Sequence, residues 1–106
     1  MSRIDALEKM LAAGTDNPLL RFGLGREYLA TDDPHSAAAH LRACVELDPT
    51  YSAAWKLLGK AYQASGAIAD AEQAWEDGIR AAQEKGDKQA EREMTVFLRR
   101  IRKARQ

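Results

Sequence analysis

Sliding the chain against itself gives one dominant signal, a self-similarity at a shift of 34 residues. The shift lays Leu24 and Gly25 on Leu58 and Gly59, Tyr28 on Tyr62, Ala37 on Ala71, Leu41 on Trp75, Cys44 on Gly78 and Val45 on Ile79. Large, small and aromatic positions recur in step, so the chain is built from copies of one supersecondary unit that bury their apolar faces against each other. Carried backwards, the frame puts Leu7, Met10 and Leu11 on Leu41, Cys44 and Val45, so the chain opens with the second half of a unit. At 106 residues, the length holds one small domain.

The unit is helical. Alanine supplies 20 residues and leucine 11, against 10 for valine, isoleucine and threonine together, which disfavours an all-β or doubly wound fold. Asn17-Pro18 and Asp33-Pro34 each set a capping side chain before a proline at the first helical position. Ser2 and Asp5 form a weaker capping box, and Gly14, Gly66 and Gly86 stand where helices end in a left-handed residue. Asp48-Pro49 breaks the pattern again. These signals predict six helices, at about 2–13, 17–30, 34–47, 51–65, 68–84 and 87–104, joined as antiparallel hairpins. Leu24, Gly25 and Tyr28, then Trp55, Leu58, Gly59 and Tyr62, share one helix face, where the glycines admit a close second helix and Leu41 and Trp75 fill the layers.

Trp55, Leu58, Gly59, Tyr62, Ala71, Trp75 and Gly78, with Leu24, Gly25, Tyr28, Ala37, Leu41 and Pro49 one period earlier, resemble the tetratricopeptide repeat family. The resemblance implies an all-α, right-handed superhelical solenoid and a small stand-alone protein of bacterial type. It implies a single domain over 1–106, with a capping helix at 2–13, repeats at 18–51 and 52–85, and a second cap at 87–104. Arg21 departs from the usual large apolar residue at the fourth position, Gln83 replaces the usual proline, and the last helix fits with one residue inserted near Gly86. The first helix turns Ile4, Leu7 and Leu11 inward, the last Ala90, Met94, Phe97, Leu98 and Ile101, so both ends read as finished caps.

The family's members hold extended peptides along the concave side lined by the first helix of each repeat. Carried onto this chain, the resemblance gives a groove of Phe22, Arg26, Lys56, Lys60, Gln63, Lys88 and Arg92, with Leu19, Leu29, Ala53, Glu91 and Thr95 alongside. Five cations then face the single acid Glu91, which favours an acidic segment of another protein. In the family's carboxylate-clamp variant, Lys88 and Arg92 match the last pair, but Phe22, Arg26 and Leu57 stand in place of a lysine and two asparagines. That departure argues against chaperone tails as the ligand. The alternatives are a self-assembling scaffold, a homodimer through Val96, Phe97 and Ile101 of an end helix, or contact with nucleic acid or an anionic surface through the C-terminus.

The last eight residues carry five cations, Arg99, Arg100, Arg102, Lys103 and Arg105, and a total charge of zero leaves −5 on the remainder. Cations are favoured at the negative C-terminal end of a helix and can pair with Glu91 and Glu93, and without aromatic residues between them they offer no stacking platform for single strands. His35 and His40 lie about 140° apart on a helix and do not converge on a metal; both read as surface or groove-edge residues. Lone Cys44 falls at a buried packing position, which excludes an internal disulfide, and Trp55 and Trp75 read as core. Asp70, Glu72, Glu76 and Asp77 spread over a solvent face. No phosphate loop, nucleophile elbow, metal-ligand cluster, signal peptide or membrane span occurs in the sequence. The expectation is therefore a cytoplasmic protein that is not an enzyme and takes no cofactor or metal.

Overall fold

The computed structural model describes residues 2–105 and places six helices among them: α1 (Arg3–Ala12), α2 (Pro18–Ala30), α3 (Pro34–Leu47), α4 (Ser52–Ala64), α5 (Ile68–Lys85) and α6 (Lys88–Arg105). Their ends are set by the residues the sequence singles out. Ser2 and Asp5 close a reciprocal capping box, Asn17 accepts from the Leu20 amide at 2.8 Å, and Asp33 accepts from the Ser36 amide at 3.2 Å. Gly14, Gly66 and Gly86 are all left-handed. So is Asp32, at φ 61°, which stands one period before Gly66 and fills the same turn with a residue that tolerates this conformation.

The inner helices touch in sequence, α2 with α4 and α4 with α6, whereas the outer helices α3 and α5 do not meet. The stack therefore curves with α2, α4 and α6 on its concave side, within extents of 44 × 28 × 18 Å. Close approach depends on three glycines inside helices. A methyl at Gly25 would overlap Leu41, one at Gly59 would overlap the Trp75 indole, and one at Gly78 would lie 2.5 Å from Met94 Sδ and 2.6 Å from Trp55 Cβ. Leu41, Cys44, Ala54, Leu58 and Ala61 form one core; Trp75, Ala71, Ala82, Ala90, Met94 and Ile101 form a second. Trp55 is half-buried rather than core, touches both, and donates from Nε1 to the Pro49 carbonyl at 2.8 Å. Trp75 is fully buried and donates to the Lys56 carbonyl at 3.1 Å.

The two ends differ, and only one is finished as expected. Four residues of α6 are buried, Ala90, Met94, Leu98 and Ile101, but none of α1 is; Ile4, Leu7 and Leu11 are half-covered and Met10 is 47% exposed. A polar network ties α1 down instead. Arg21 grips Asp16 bidentately, Nε to Oδ1 at 2.8 Å and Nη2 to Oδ2 at 3.0 Å, and donates from Nη1 to His40 Nδ1 at 3.1 Å. Nδ1 must then accept, so in the neutral ring the proton sits on Nε2, which lies 3.2 Å from Glu8 Oε1. Tyr28 donates to the same oxygen at 3.0 Å, and its ring stacks on His40 with centroids 5.5 Å apart. His40 is therefore not a surface residue: its side chain is 13% exposed, and burial pushes the imidazole below its ordinary value despite the nearby Glu8.

Candidate functional site

The concave side is built from the faces of α2, α4 and α6 that the packing leaves free. At its α2 end, Phe22 is half-buried and stacks on Tyr51, with centroids 5.0 Å apart and planes at 24°. Arg26 is exposed, its guanidinium carbon 6.0 Å from the Phe22 centroid, and Lys85 Nζ lies 5.7 Å from the Tyr51 centroid. Each of the two stacked rings thus has a cation near it, a contact that the negative ring faces favour. Burial, with Cys44 and Asp48 nearby, pushes the Tyr51 hydroxyl above its ordinary value, keeping the ring neutral. Tyr51 and Lys85 are absent from the sequence reading because the family's groove positions do not include them: Tyr51 is the N-cap of α4 and Lys85 ends α5.

On α4, Lys60 is exposed and its Nζ sits 4.0 Å from the Phe97 centroid, with Phe97 tilted against Trp75. Lys56 differs from the expectation. Its Nζ is 3.3 Å from Glu93 Oε1 on α6, so this cation is paired, and the count of five cations against one acid becomes four unpaired. Glu93 escapes a reading by family groove positions because it reaches across from the neighbouring helix. Gln63, Lys88 and Arg92 are exposed, and Glu91, the acid expected in the groove, accepts from Gln83 of α5 at 3.1 Å. Among the described residues, Arg26, Lys60, Lys88 and Arg92 have no carboxylate partner. Between Lys56 and Lys88, Ser52 donates to Asp87 Oδ2 at 2.7 Å while Asp87 Oδ1 caps the Ala90 amide; both bonds hold this carboxyl below its usual range.

The remaining candidates have structural partners. Cys44 is buried, donates from Sγ to the Pro18 carbonyl at 3.3 Å, and is pushed up to about 11 by desolvation, which makes the thiolate scarce at neutral pH. The C-terminal cations pair across to α5 rather than within α6: Arg102 lies 3.1 Å from Glu76, and Arg105 pairs with Glu72. Arg80 pairs with Asp77, so three of the four carboxylates read as a solvent face carry a cation. No helix among the described residues is long and apolar enough to cross a membrane.

The tetratricopeptide repeat model matches residues 28–90. A TPR repeat-containing protein of Pseudomonas aeruginosa is 64% identical over 102 residues, covering 96% of this chain and 97% of that one. The solution structure of a Bordetella parapertussis protein superposes with a TM-score of 0.84 at 51% identity, over 98% of this chain and 90% of that one. The first TPR of Spaghetti (RPAP3), bound to the HSP90 peptide SRMEEVD, superposes with a TM-score of 0.81 over 95% of this chain and 75% of that one. At 24% identity, the last likeness is one of fold alone.

Proposed function

The chain belongs to the tetratricopeptide repeat family, whose members act through protein–protein contacts, and on that premise we propose that its concave side holds an extended, acidic segment of a partner protein. The observation that carries the reading is that Arg26, Lys60, Lys88 and Arg92, drawn from all three inner helices α2, α4 and α6, have no carboxylate partner among the described residues. Unpaired like charges along one concave wall raise the local concentration of the opposite charge. Phe22 and Phe97 give the segment apolar or aromatic side chains to lie against beside Arg26 and Lys60. Lys56, already neutralised by Glu93, positions α6 against α4 and contributes less. The repeats at 18–51 and 52–85 and their flanking helices act in this reading as one binding unit.

A fixed carboxylate clamp is not part of the reading, since Phe22, Arg26 and Leu57 replace three of its residues. The grip is instead distributed and salt-sensitive. Capture from lysate of the source organism at low and high salt tests it, with wild type beside the Arg26→Glu/Lys60→Glu variant. A partner held by wild type, released by salt and lost by the variant supports the groove. A partner that the folded variant retains equally well overturns it.

A further inference from the structure

The internal repeat offers a comparison inside the molecule. Between α1 and α3, the imidazole of His40 fills the space beside Tyr28, stacking on that ring with planes 5° apart. One period later, Tyr28 becomes Tyr62, Arg21 becomes Trp55 and His40 becomes Ala74. The tyrosine is kept and the ring that covered it is gone. On the convex side between α3 and α5, a cleft of about 280 Å³ stands there, lined by Trp55, Leu58, Tyr62 and Ala74, with Arg42, Glu46 and Asp70 at its walls.

The chemistry of the cleft suits the group that is missing. Its floor is apolar and aromatic. Arg42 donates from Nε to the Tyr62 hydroxyl at 2.9 Å and keeps its guanidinium carbon 5.7 Å from that ring, so a cation is on hand for the negative face of a second ring. Glu46 and Asp70 are exposed, with no ion pair among the described residues, and present negative charge toward the positive edge of such a ring. A cavity of about 150 Å³ holds benzene, so there is room. The cleft is open-sided, lying between two helices rather than enclosing a ligand, which suits a side chain carried in on a backbone more than a free molecule.

We propose that the convex cleft between α3 and α5 is a second docking site, taking an aromatic side chain from a partner protein in the place that His40 occupies one layer earlier. The site lies on the face opposite the cationic groove, so it stands or falls independently of the groove.

The test uses the whole chain and ¹H–¹⁵N spectra, with acetyl-GAYAG-amide as probe, acetyl-GALAG-amide as aliphatic control and p-cresol as the free ring. The tyrosine peptide should shift the Trp55 indole N–H and the amides of Tyr62 and Ala74 saturably, leaving the Trp75 indole N–H, buried and bonded to Lys56, still. Ala74→His restores the missing ring and should weaken binding about tenfold. Tyr62→Leu removes the stacking partner by a second route and should weaken it similarly, while Arg26→Glu/Lys60→Glu should leave it unchanged. Equal shifts with the aliphatic peptide, binding by p-cresol alone, or undiminished binding by a folded Ala74→His or Tyr62→Leu variant would each overturn the proposal.

Discussion

Between α1 and α3 the layer is closed by Arg21, Tyr28 and His40, whereas their counterparts one period later, Trp55, Tyr62 and Ala74, leave a cleft between α3 and α5. In the first layer an arginine at the position of Trp55 requires anions and acceptors around it, and Asp16, His40 and Glu8 supply them. The second layer and α6 bury Trp75, Met94 and Ile101, and their ion pairs, Lys56 with Glu93, Arg102 with Glu76 and Arg105 with Glu72, lie outside that core. Hydrogen-bonded ionic closure depends on pH and salt, while apolar closure depends on shape, so the two halves of the solenoid respond to different perturbations.

The largest effect should come from the shape-dependent half. Trp75→Ala opens a cavity between layers and should cost about 3–5 kcal/mol in chemical denaturation, a large part of what a small domain has. If it costs no more than Arg21→Ala, the contrast between the halves is wrong. The glycines sharpen it. Gly59→Ala places a methyl against the Trp75 indole and should destabilise by about 1–3 kcal/mol even though alanine favours helix. Gly23→Ala, whose methyl meets only Leu7 Cδ1 at 3.7 Å, should instead stabilise by roughly 0.5–1 kcal/mol.

A smaller effect belongs to the polar half. His40 is held below its ordinary value of 6.5 chiefly by burial, so the unfolded chain binds the proton more readily than the folded one. The network's contribution is fully present above 6.5 and is lost as pH falls through the lower folded value. Arg21 opposes protonation and Glu8 and Asp16 favour it, while Tyr28 stays neutral throughout. Between pH 7.5 and 5.5, α1 amides should lose exchange protection before those of α6, and His40→Phe should flatten the dependence; uniform loss along the chain would contradict it. Smallest of all, Arg102→Ala breaks an exposed pair with Glu76 and should cost about 0.2–1 kcal/mol at low salt and nothing measurable at high salt.

Helix positions were legible in the sequence because the caps act locally. Asn17, Asp33 and Gly86 each bond to or turn the backbone within a few residues of themselves, and the observed ends fall within one residue of those the signals predict. Asp32 was the exception, because an aspartate in the left-handed conformation carries no signal that distinguishes it from an ordinary polar residue. The candidate groove was legible only as a set of helix faces. Its exposed members are where the period puts them, but the pairing of Lys56 with Glu93, the Phe22 and Tyr51 stack and the seat of Lys60 on Phe97 join residues 29–37 apart. No local pattern predicts which partner a long side chain will find.

The sequence by itself determined the repeat, the six helices and the small residues on which stacking depends, since periodicity, capping and side-chain size act over a turn or a hairpin. The tertiary structure decided which charges remain unpaired, that His40 is half-buried and held in a network, and that Ala74 leaves a cleft where His40 fills one. Those outcomes depend on distances between neighbouring layers, which arise only when the helices have packed.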